Sequence, residues 1–349
     1  MLVFVLNAGS SSLKYQLIDI KSKELKASGL VERIGIDGIL KHEIGENKKI
    51  TFELPIPTHK EAIELVLRIL TNDETKVINS IDEIKAIGHR VVHGGEYFKG
   101  SVIVDDEVIR KIEELIPLAP LHNPANILGV KICKDLMPKV PNVVTFDTAF
   151  HQTMPMENFL YAVPYADYTE HHLRKYGFHG TSHYYVSQEA IKLLNKKDSK
   201  VIVCHLGNGS SVCAVKDGKS ISTSMGLTPL EGLVMGTRSG DIDAGVIPYL
   251  MEKKGLNHIQ ILDYLNKKSG ILGVSGVSSD LREVIKAAND GDKRSKIAIT
   301  MLCDRIKKYL CYYAGLMHGV DAICFTAGIG ENSDLIREKV CEGLEFMGI

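Results

Sequence analysis

Residues 2–18 read LVFVLNAGSSSLKYQLI: an apolar run, a polar glycine-serine loop and a second strand-like run. Residues 201–215 read VIVCHLGNGSSVCAV and repeat that order with the same Gly-Ser-Ser. A polar loop between two β-branched runs predicts a hairpin. The tripeptides Gly9-Ser10-Ser11 and Gly209-Ser210-Ser211 recur at matching places in two halves of the chain, which predicts a duplicated domain. Asp217-Gly218 after the second hairpin predicts a tight turn.

The pattern between the hairpins changes period. Thr58 and Glu61 form a capping-box pattern before Ala62, Ile63, Leu65, Val66, Ile69 and Leu70, which keep helical spacing. Val108, Ile109, Ile112, Leu115 and Ile116 do the same after Asp105-Asp106. A long amphipathic run from Ser295 to His318 is expected to stop at Gly319. Strands are expected at Ile87–Val92, Asn142–Phe146, Lys200–Cys204 and Ala322–Thr326. Strands alternating with helices argue for α/β layers. Pro155 and a polar, aromatic-rich stretch after Phe146 place a boundary near 147–155, giving domains 1–150 and 151–349.

Bulk properties narrow the class. A chain of 349 residues suits two domains. With 44% hydrophobic and 24% charged residues, it is neither disordered nor fibrous. A net charge of −1 favours neither nucleic acid nor an anionic membrane surface as partner. The apolar run at Leu2–Leu6 is too short for a signal peptide or a membrane span. The seven cysteines, Cys133, Cys204, Cys213, Cys303, Cys311, Cys324 and Cys341, form no C-x-x-C pair. An odd, scattered set reads as buried, reduced thiols of a cytoplasmic protein.

The glycine-serine loops suggest phosphate binding, because glycine lets backbone N–H groups approach an anion and serine adds donors. Lys14 adds a cation to the first loop; His205 and Asn208 add an imidazole and an amide to the second. A third stretch, Gly328-Ile-Gly330-Glu331-Asn332, is expected as a loop leaving a strand and entering a helix at Asp334, a nucleotide-binding arrangement. Neither G-x-G-x-x-G nor the P-loop pattern occurs there. Arg90, ending a strand before a glycine pair, and Arg238, in Gly236-Thr-Arg-Ser-Gly240, suit anion binding better than core packing. Arg282 and Asp280 fit either an anion site or a helix cap. Asp147 sits where α/β folds place chemistry, at the C-terminal end of a strand, and equally suits a turn cap. Phe178-His179 between glycines fits a loop offering an apolar wall and a donor, or packing beneath an interface. Nine of the thirteen histidines lie between His89 and His205, without the spacing of a zinc site.

These segments resemble the acetate kinase family, within the superfamily of sugar kinases, actin and heat-shock chaperone ATPases. The matching motifs are Asn7-Ala-Gly-Ser-Ser-Ser-Leu-Lys14, Gly88-His-Arg-Val-Val-His-Gly-Gly95, Ala119-Pro-Leu-His-Asn-Pro124 and Phe146-Asp-Thr-Ala-Phe-His151. Tyr176-Gly-Phe-His-Gly-Thr-Ser-His183, His205-Leu-Gly-Asn-Gly-Ser210, Gly236-Thr-Arg-Ser-Gly-Asp241 and Gly328-Ile-Gly-Glu-Asn332 complete the set. The resemblance implies an α/β fold of duplicated ribonuclease H-like (actin-like ATPase) domains, with the active site in the interdomain cleft. It implies reversible transfer of the ATP γ-phosphoryl to acetate, giving acetyl phosphate and ADP, with Mg²⁺ or substituting Mn²⁺, in a homodimer.

By the same resemblance, Arg90, Asp147, His179 and Arg238 match the catalytic set. Arg90, Val92, Leu121, Phe178 and Pro229 match the substrate pocket. Asn7, Ser10, Ser12 and Lys14 match the phosphate end, with Asn7 at the metal. His205, Leu206, Gly207, Asn208, Gly209, Asp280, Leu281, Arg282, Gly328, Ile329, Gly330, Glu331 and Asn332 match nucleotide contacts. Leu281 stands where the family usually has an aromatic residue beside the adenine. Family chains usually continue beyond the position of Ile349 with a strand, a helix and a Mg²⁺-binding glutamate that no residue here matches. Propionate or butyrate kinase activity, and an actin-like ATPase without carboxylate kinase activity, are the competing expectations. Asn7, where actin-like relatives carry aspartate, and the Arg90 and Arg238 loops weigh against the second.

Overall fold

The computed structural model describes residues 1–45 and 48–348 and divides into two compact units, Met1–Ala149 and Phe150–Ile349. The first unit holds strands β1 (Leu2–Ala8), β2 (Leu13–Asp19), β3 (Glu24–Glu32), β4 (Ile39–Ile44), β5 (Lys48–Glu53), β6 (Ile84–Val91), β7 (Val102–Ile103) and β8 (Asn142–Phe146). They form one sheet in the order β5-β4-β3-β2-β1-β6-β8-β7. β1 to β5 make an antiparallel meander, while β1, β6 and β8 run parallel. The alternation in β2 shows why it forms a strand: Leu13, Tyr15 and Leu17 are buried, and Lys14 and Gln16 are exposed. Helices His59–Thr71 and Asn123–Leu136 cover the buried face with Ile63, Val66, Leu70, Ile132 and Cys133.

The second unit holds β9 (Lys200–Leu206), β10 (Ser210–Lys216), β11 (Lys219–Thr223) and β12 (Ala322–Thr326), in the order β11-β10-β9-β12. This repeats the core of the first sheet: three antiparallel strands, then one parallel to the first of them. Residues 201–204 of β9 and 212–215 of β10 are unbroken, buried apolar runs because both faces of these strands are covered. Helix Gly180–Leu194 packs on Val201, Val203, Cys213 and Val215. Helix Lys293–Met317 packs on Ile202, Cys204, Val212 and Ala214. Asp217 and Gly218 both take positive φ, 52° and 77°, and close the β10–β11 turn. Both predicted hairpins are present, β1–β2 and β9–β10.

Several expectations need correction. Thr58 caps its helix by accepting from the Lys60 N–H, while its hydroxyl donates to the Glu61 carboxylate instead of sharing a reciprocal capping box. The long helix begins at Lys293 and ends where His318 turns left-handed at φ 58°, before Gly319. The stretch expected as a glycine loop is itself a short helix, Ala327–Asn332, followed by the helix Asp334–Cys341. Glu331 explains the winding: its carboxylate accepts from Thr326 Oγ1 and the Ala327 N–H, satisfying donors at the start of that turn. Cys311 is exposed, and Cys324 and Cys341 are half-buried, so only Cys133, Cys204, Cys213 and Cys303 are core residues.

Candidate functional site

In the first unit the parallel strands bring three side chains to one place. Asn7 lies near the end of β1, Arg90 near the end of β6, and Asp147 follows β8. The Asp147 N–H donates to the Val91 carbonyl, which fixes the start of the loop. The guanidinium of Arg90 donates to both Asp147 oxygens, Nε to Oδ1 at 3.0 Å and Nη2 to Oδ2 at 2.6 Å. Its Nη1 donates to Asn7 Oδ1 at 3.3 Å. This fork geometry fixes the plane of the cation. Burial opposes the Arg90 charge, but the Asp147 carboxylate outweighs it and raises the pKa above its ordinary value. Asp147 is buried, and Arg90 is partly exposed.

Two asparagines that sequence reasoning assigned no role hold the adjoining loop. Asn126 accepts from the Val92 N–H at 3.0 Å and donates to the Ala8 carbonyl at 2.7 Å. Asn123 accepts from the His93 N–H and donates to the His93 carbonyl, both at 3.1 Å. Both lie in the first turn of helix Asn123–Leu136, so this helix ties the segment after Arg90 to the end of β1. The Asn-Pro of the Ala119–Pro124 motif was the visible signal. Val92 is buried, whereas Leu121 is 74% exposed.

The first hairpin loop is closed by Gly9 N–H to Ser12 O at 2.8 Å and held by His59, whose Nε2 lies 2.7 Å from the Gly9 carbonyl. Ser10, Ser11 and Lys14 are exposed, and Ser12 is half-buried. Lys14 pairs directly across from Asn7 in the sheet. Asn7 and Lys14 line a concavity of about 450 Å³ with Gln16, Ser28, Lys41 and Glu43.

In the second unit, Gly207, Asn208, Asp280, Leu281, Arg282, Gly328, Ile329 and Asn332 line one cavity of about 770 Å³. That volume suits a nucleoside-sized ligand. Ser279, Ile285, Ser333, Asp334 and Leu335 also line it and were not expected. Asp280 caps the helix Leu281–Asn289, and Arg282 pairs with it. The Arg282 side-chain hydrogen bond, then the Arg282 N–H, hold the Asp280 carboxyl at about 2. Leu281 packs into the core below with Val284 and Ala288, which suits an aliphatic side chain there. Leu206 is a core residue, Gly330 is buried, and Glu331 caps its own helix; none lines this cavity.

One residue beyond the cavity's Gly207-Asn208 edge lies Gly209. A Cβ there would meet Arg238 Nη1 at 3.4 Å and the His179 ring, at Cε1 and Nε2, at 3.7 Å. The structure thus brings His179 and Arg238 together over the Gly209 backbone. His179 ends a loop in the left-handed region, φ 57°, just before helix Gly180–Leu194. Its ring stacks on His205 with centroids 4.1 Å apart, and His205 Nδ1 lies 2.9 Å from Ser182 Oγ. Arg238 donates to the Pro229 carbonyl at 3.3 Å, and burial lowers its pKa. Phe178 is buried, with its carbonyl 3.0 Å from His151 Nε2.

The Arg238 loop has no regular secondary structure and is held by its neighbours. Met235 N–H donates to the Arg238 carbonyl, Ser269 N–H to Thr237 and Gly236 N–H to Asn208. Gly270 must be glycine: φ is 62°, and a Cβ would lie 2.2 Å from the Met235 carbonyl oxygen. Asp241 anchors the other end, accepting from the Gly232 N–H at 2.8 Å and from Tyr309 Oη at 2.9 Å.

The comparisons agree with this architecture. A two-unit α/β chain of the actin-like ATPase fold, with cations beside a nucleotide-sized cavity, defines a class of phosphoryl-transfer proteins. The acetokinase family matches residues 2–349, and the chain belongs to that family. It is 56% identical to the acetate kinase of Treponema denticola over 352 residues, covering all of this chain and 89% of the relative. It is 55% identical to the acetate kinase of Caldanaerobacter subterraneus subsp. tengcongensis, covering all of this chain and 88% of that one. Among solved structures it is similar to Porphyromonas gingivalis acetate kinase, with TM-score 0.96, 50% identity, and coverage of 100% of this chain and 88% of that one. It is also similar to a propionate kinase from Francisella tularensis, with TM-score 0.93, 44% identity, and coverage of 99% and 88%.

Proposed function

We propose that this chain transfers the γ-phosphoryl of ATP reversibly to acetate, giving acetyl phosphate and ADP. The observation that carries the reading is the convergence of His179 and Arg238 over Gly209, next to the cavity edge at Gly207-Asn208. A carboxylate is already ionised at neutral pH, so no general base is required. The obstacle is repulsion between two anions, which positioned positive charge relieves. Arg90 is the group to orient the acetate carboxylate, because Asp147 and Asn7 hold its guanidinium in one plane. Asp147 then acts as the brace of a cation and not as a base. Arg238 and His179 stabilise the transferring phosphoryl. The nucleotide occupies the cavity lined by Asp280, Leu281, Ile329 and Asn332, with its phosphates along Asn208-Gly209. Ser10, Ser12 and Lys14, exposed or half-exposed at the first hairpin, are donors suited to phosphate oxygens.

Among the described residues no group of three or more His, Cys, Asp or Glu side chains could hold a metal alone. That fits Mg²⁺, or Mn²⁺ in its place, which usually binds through one or two protein oxygens plus substrate phosphates. Asn7 Oδ1 and the Asp147 carboxylate are the hard oxygen donors beside Arg90, and the ion would supply neutralising charge to the phosphates. A cytoplasmic homodimer completes the proposal. No helix among the described residues is long and apolar enough to cross a membrane.

Similarity to both acetate and propionate kinases leaves chain length of the acid as the point to test. Val92, matched by the family resemblance to the substrate pocket, is buried, and a branched side chain there in place of a smaller one favours acetate. One methylene discriminates by only ~1–3 kcal/mol, so propionate should be a slower substrate. Trapping with hydroxylamine in the presence of ATP and Mg²⁺ should yield acetohydroxamate fastest, propionohydroxamate more slowly and butyrohydroxamate least. A faster rate with propionate would overturn the acetate assignment.

A further inference from the structure

The histidines near position 179 are not all explained by contact with substrate. His183 lies four residues on, one helical turn along the same face, and its N–H donates to the His179 carbonyl at 2.9 Å. Both side chains reach one atom on β10. His179 Nδ1 lies 2.9 Å and His183 Nε2 lies 2.7 Å from Ser211 Oγ. Ser211 and His183 are both completely buried.

A hydroxyl has one hydrogen to donate and two lone pairs. It can therefore donate to only one of the two ring nitrogens and must accept from the other. The choice is made at His183. Burial keeps this ring neutral, with His151, His205 and His179 pushing the same way, so it carries a single N–H. Its Nδ1 is buried with no hydrogen-bond partner. Placing the hydrogen on Nδ1 would strand a buried donor, whereas placing it on Nε2 leaves only a bare lone pair. Orphaned buried N–H groups are the rarer of the two. His183 therefore donates from Nε2 to Ser211, which frees the Ser211 hydrogen for His179 Nδ1.

The geometry points to Ser211 and His183 as positioning residues that fix His179 in the tautomer with its hydrogen on Nε2. The direction is the useful one: His179 Nε2 and Arg238 Nη1 both face the space that a Cβ on Gly209 would fill, at 3.7 and 3.4 Å from it. With Nδ1 occupied as an acceptor, His179 presents a donor and not a lone pair to an incoming phosphoryl oxygen. A lone pair there would repel the anion. This chain, His183 to Ser211 to His179, rests on the assignment of His179 to the transferring phosphoryl. Asn208 and the cavity take no part in it.

The test is tautomer assignment in the full chain labelled with ¹⁵N-histidine, read from two-bond ¹H–¹⁵N correlations. The expected spectrum shows His179 and His183 both protonated at Nε2 and bare at Nδ1. Ser211→Ala should leave His183 in place but give His179 a mixture of tautomers. It should also lower kcat about tenfold, the scale of one lost hydrogen bond, with the KM for ATP little changed. Protonation of His179 at Nδ1 in the unsubstituted chain would overturn the proposal. So would Ser211→Ala that keeps both the tautomer and kcat. The spectrum needs no turnover: a chain showing this pattern yet forming no acyl phosphate supports the relay and overturns the function.

Discussion

The two hairpins share Gly-Ser-Ser but use it differently. In the first, the tripeptide is the turn: Gly9 to Ser12 lie between β1 and β2, and Ser10 and Ser11 face solvent. In the second, the turn is over by Gly209, and Ser210 and Ser211 are the first, buried residues of β10. Ser210 closes its own turn, exchanging hydrogen bonds with the N–H and carbonyl of Gly207. Ser211 holds two histidines. Identical residues at matching places thus offer hydroxyls outward in one unit and spend them on internal order in the other. The cause is burial. A sheet covered on both faces leaves its serines no water, so each must find a protein partner.

The comparison breaks most visibly at the cation attached to each hairpin. Arg90 binds Asn7 of the first, and Arg238 flanks Gly209 of the second. Arg90→Ala and Arg238→Ala should each lower kcat about 100-fold or more in a coupled ADP assay. Arg90→Ala should also raise the KM for acetate. Arg90→Lys should not restore it, because one ammonium cannot span both Asp147 oxygens. Near-normal turnover in either alanine variant would contradict the roles assigned here.

A second contrast lies in the glycines. Gly209→Ala places a methyl between Arg238 and His179 without a hard clash. It should raise the KM for ATP about tenfold, by covering backbone donors proposed to face phosphate. The paired serine variants are milder. Ser210→Ala should destabilise by ~1 kcal/mol in urea unfolding, because it removes the hydroxyl donor of the Gly207 carbonyl, while the Gly207 N–H keeps the Gly209 carbonyl. Ser11→Ala, at an exposed position, should change neither stability nor kcat measurably.

Acid sharpens a different asymmetry. In the first unit His89 is buried and donates to Asn142, and burial lowers its pKa to about 4. Between about pH 4 and the ordinary value of 6.5, the unfolded chain binds the proton that the folded chain refuses. Stability therefore rises with pH through this window and falls as pH drops through it, by up to roughly 3 kcal/mol from this group. His89→Gln keeps a donor and should flatten the slope measured by denaturant titration.

Much of this was legible in the residues. Asn142–Phe146 and Ala322–Thr326 were predicted with the ends they have, because each is a short run rich in β-branched and aromatic residues with polar, proline or glycine residues at its borders. Both hairpins were legible from their β-branched flanks. The Gly328–Asn332 stretch was misread as a loop because its glycines outweighed the Glu331 cap, which acts through a side chain folding back. The different fates of Ser11 and Ser211 were invisible, since the tripeptides are identical and only the covering helices separate them. Asn123 and Asn126 were missed for a related reason: their partners, Val92, His93 and Ala8, are distant in sequence.

The central claim is that this chain moves a phosphoryl group onto a carboxylate. ³¹P NMR of the chain with ATP, Mg²⁺ and acetate tests it most directly. The account predicts that the γ-phosphate resonance declines as an acetyl phosphate resonance grows in equal amount, with little inorganic phosphate. Loss of the γ-phosphate into inorganic phosphate alone, or no loss at all, would contradict it.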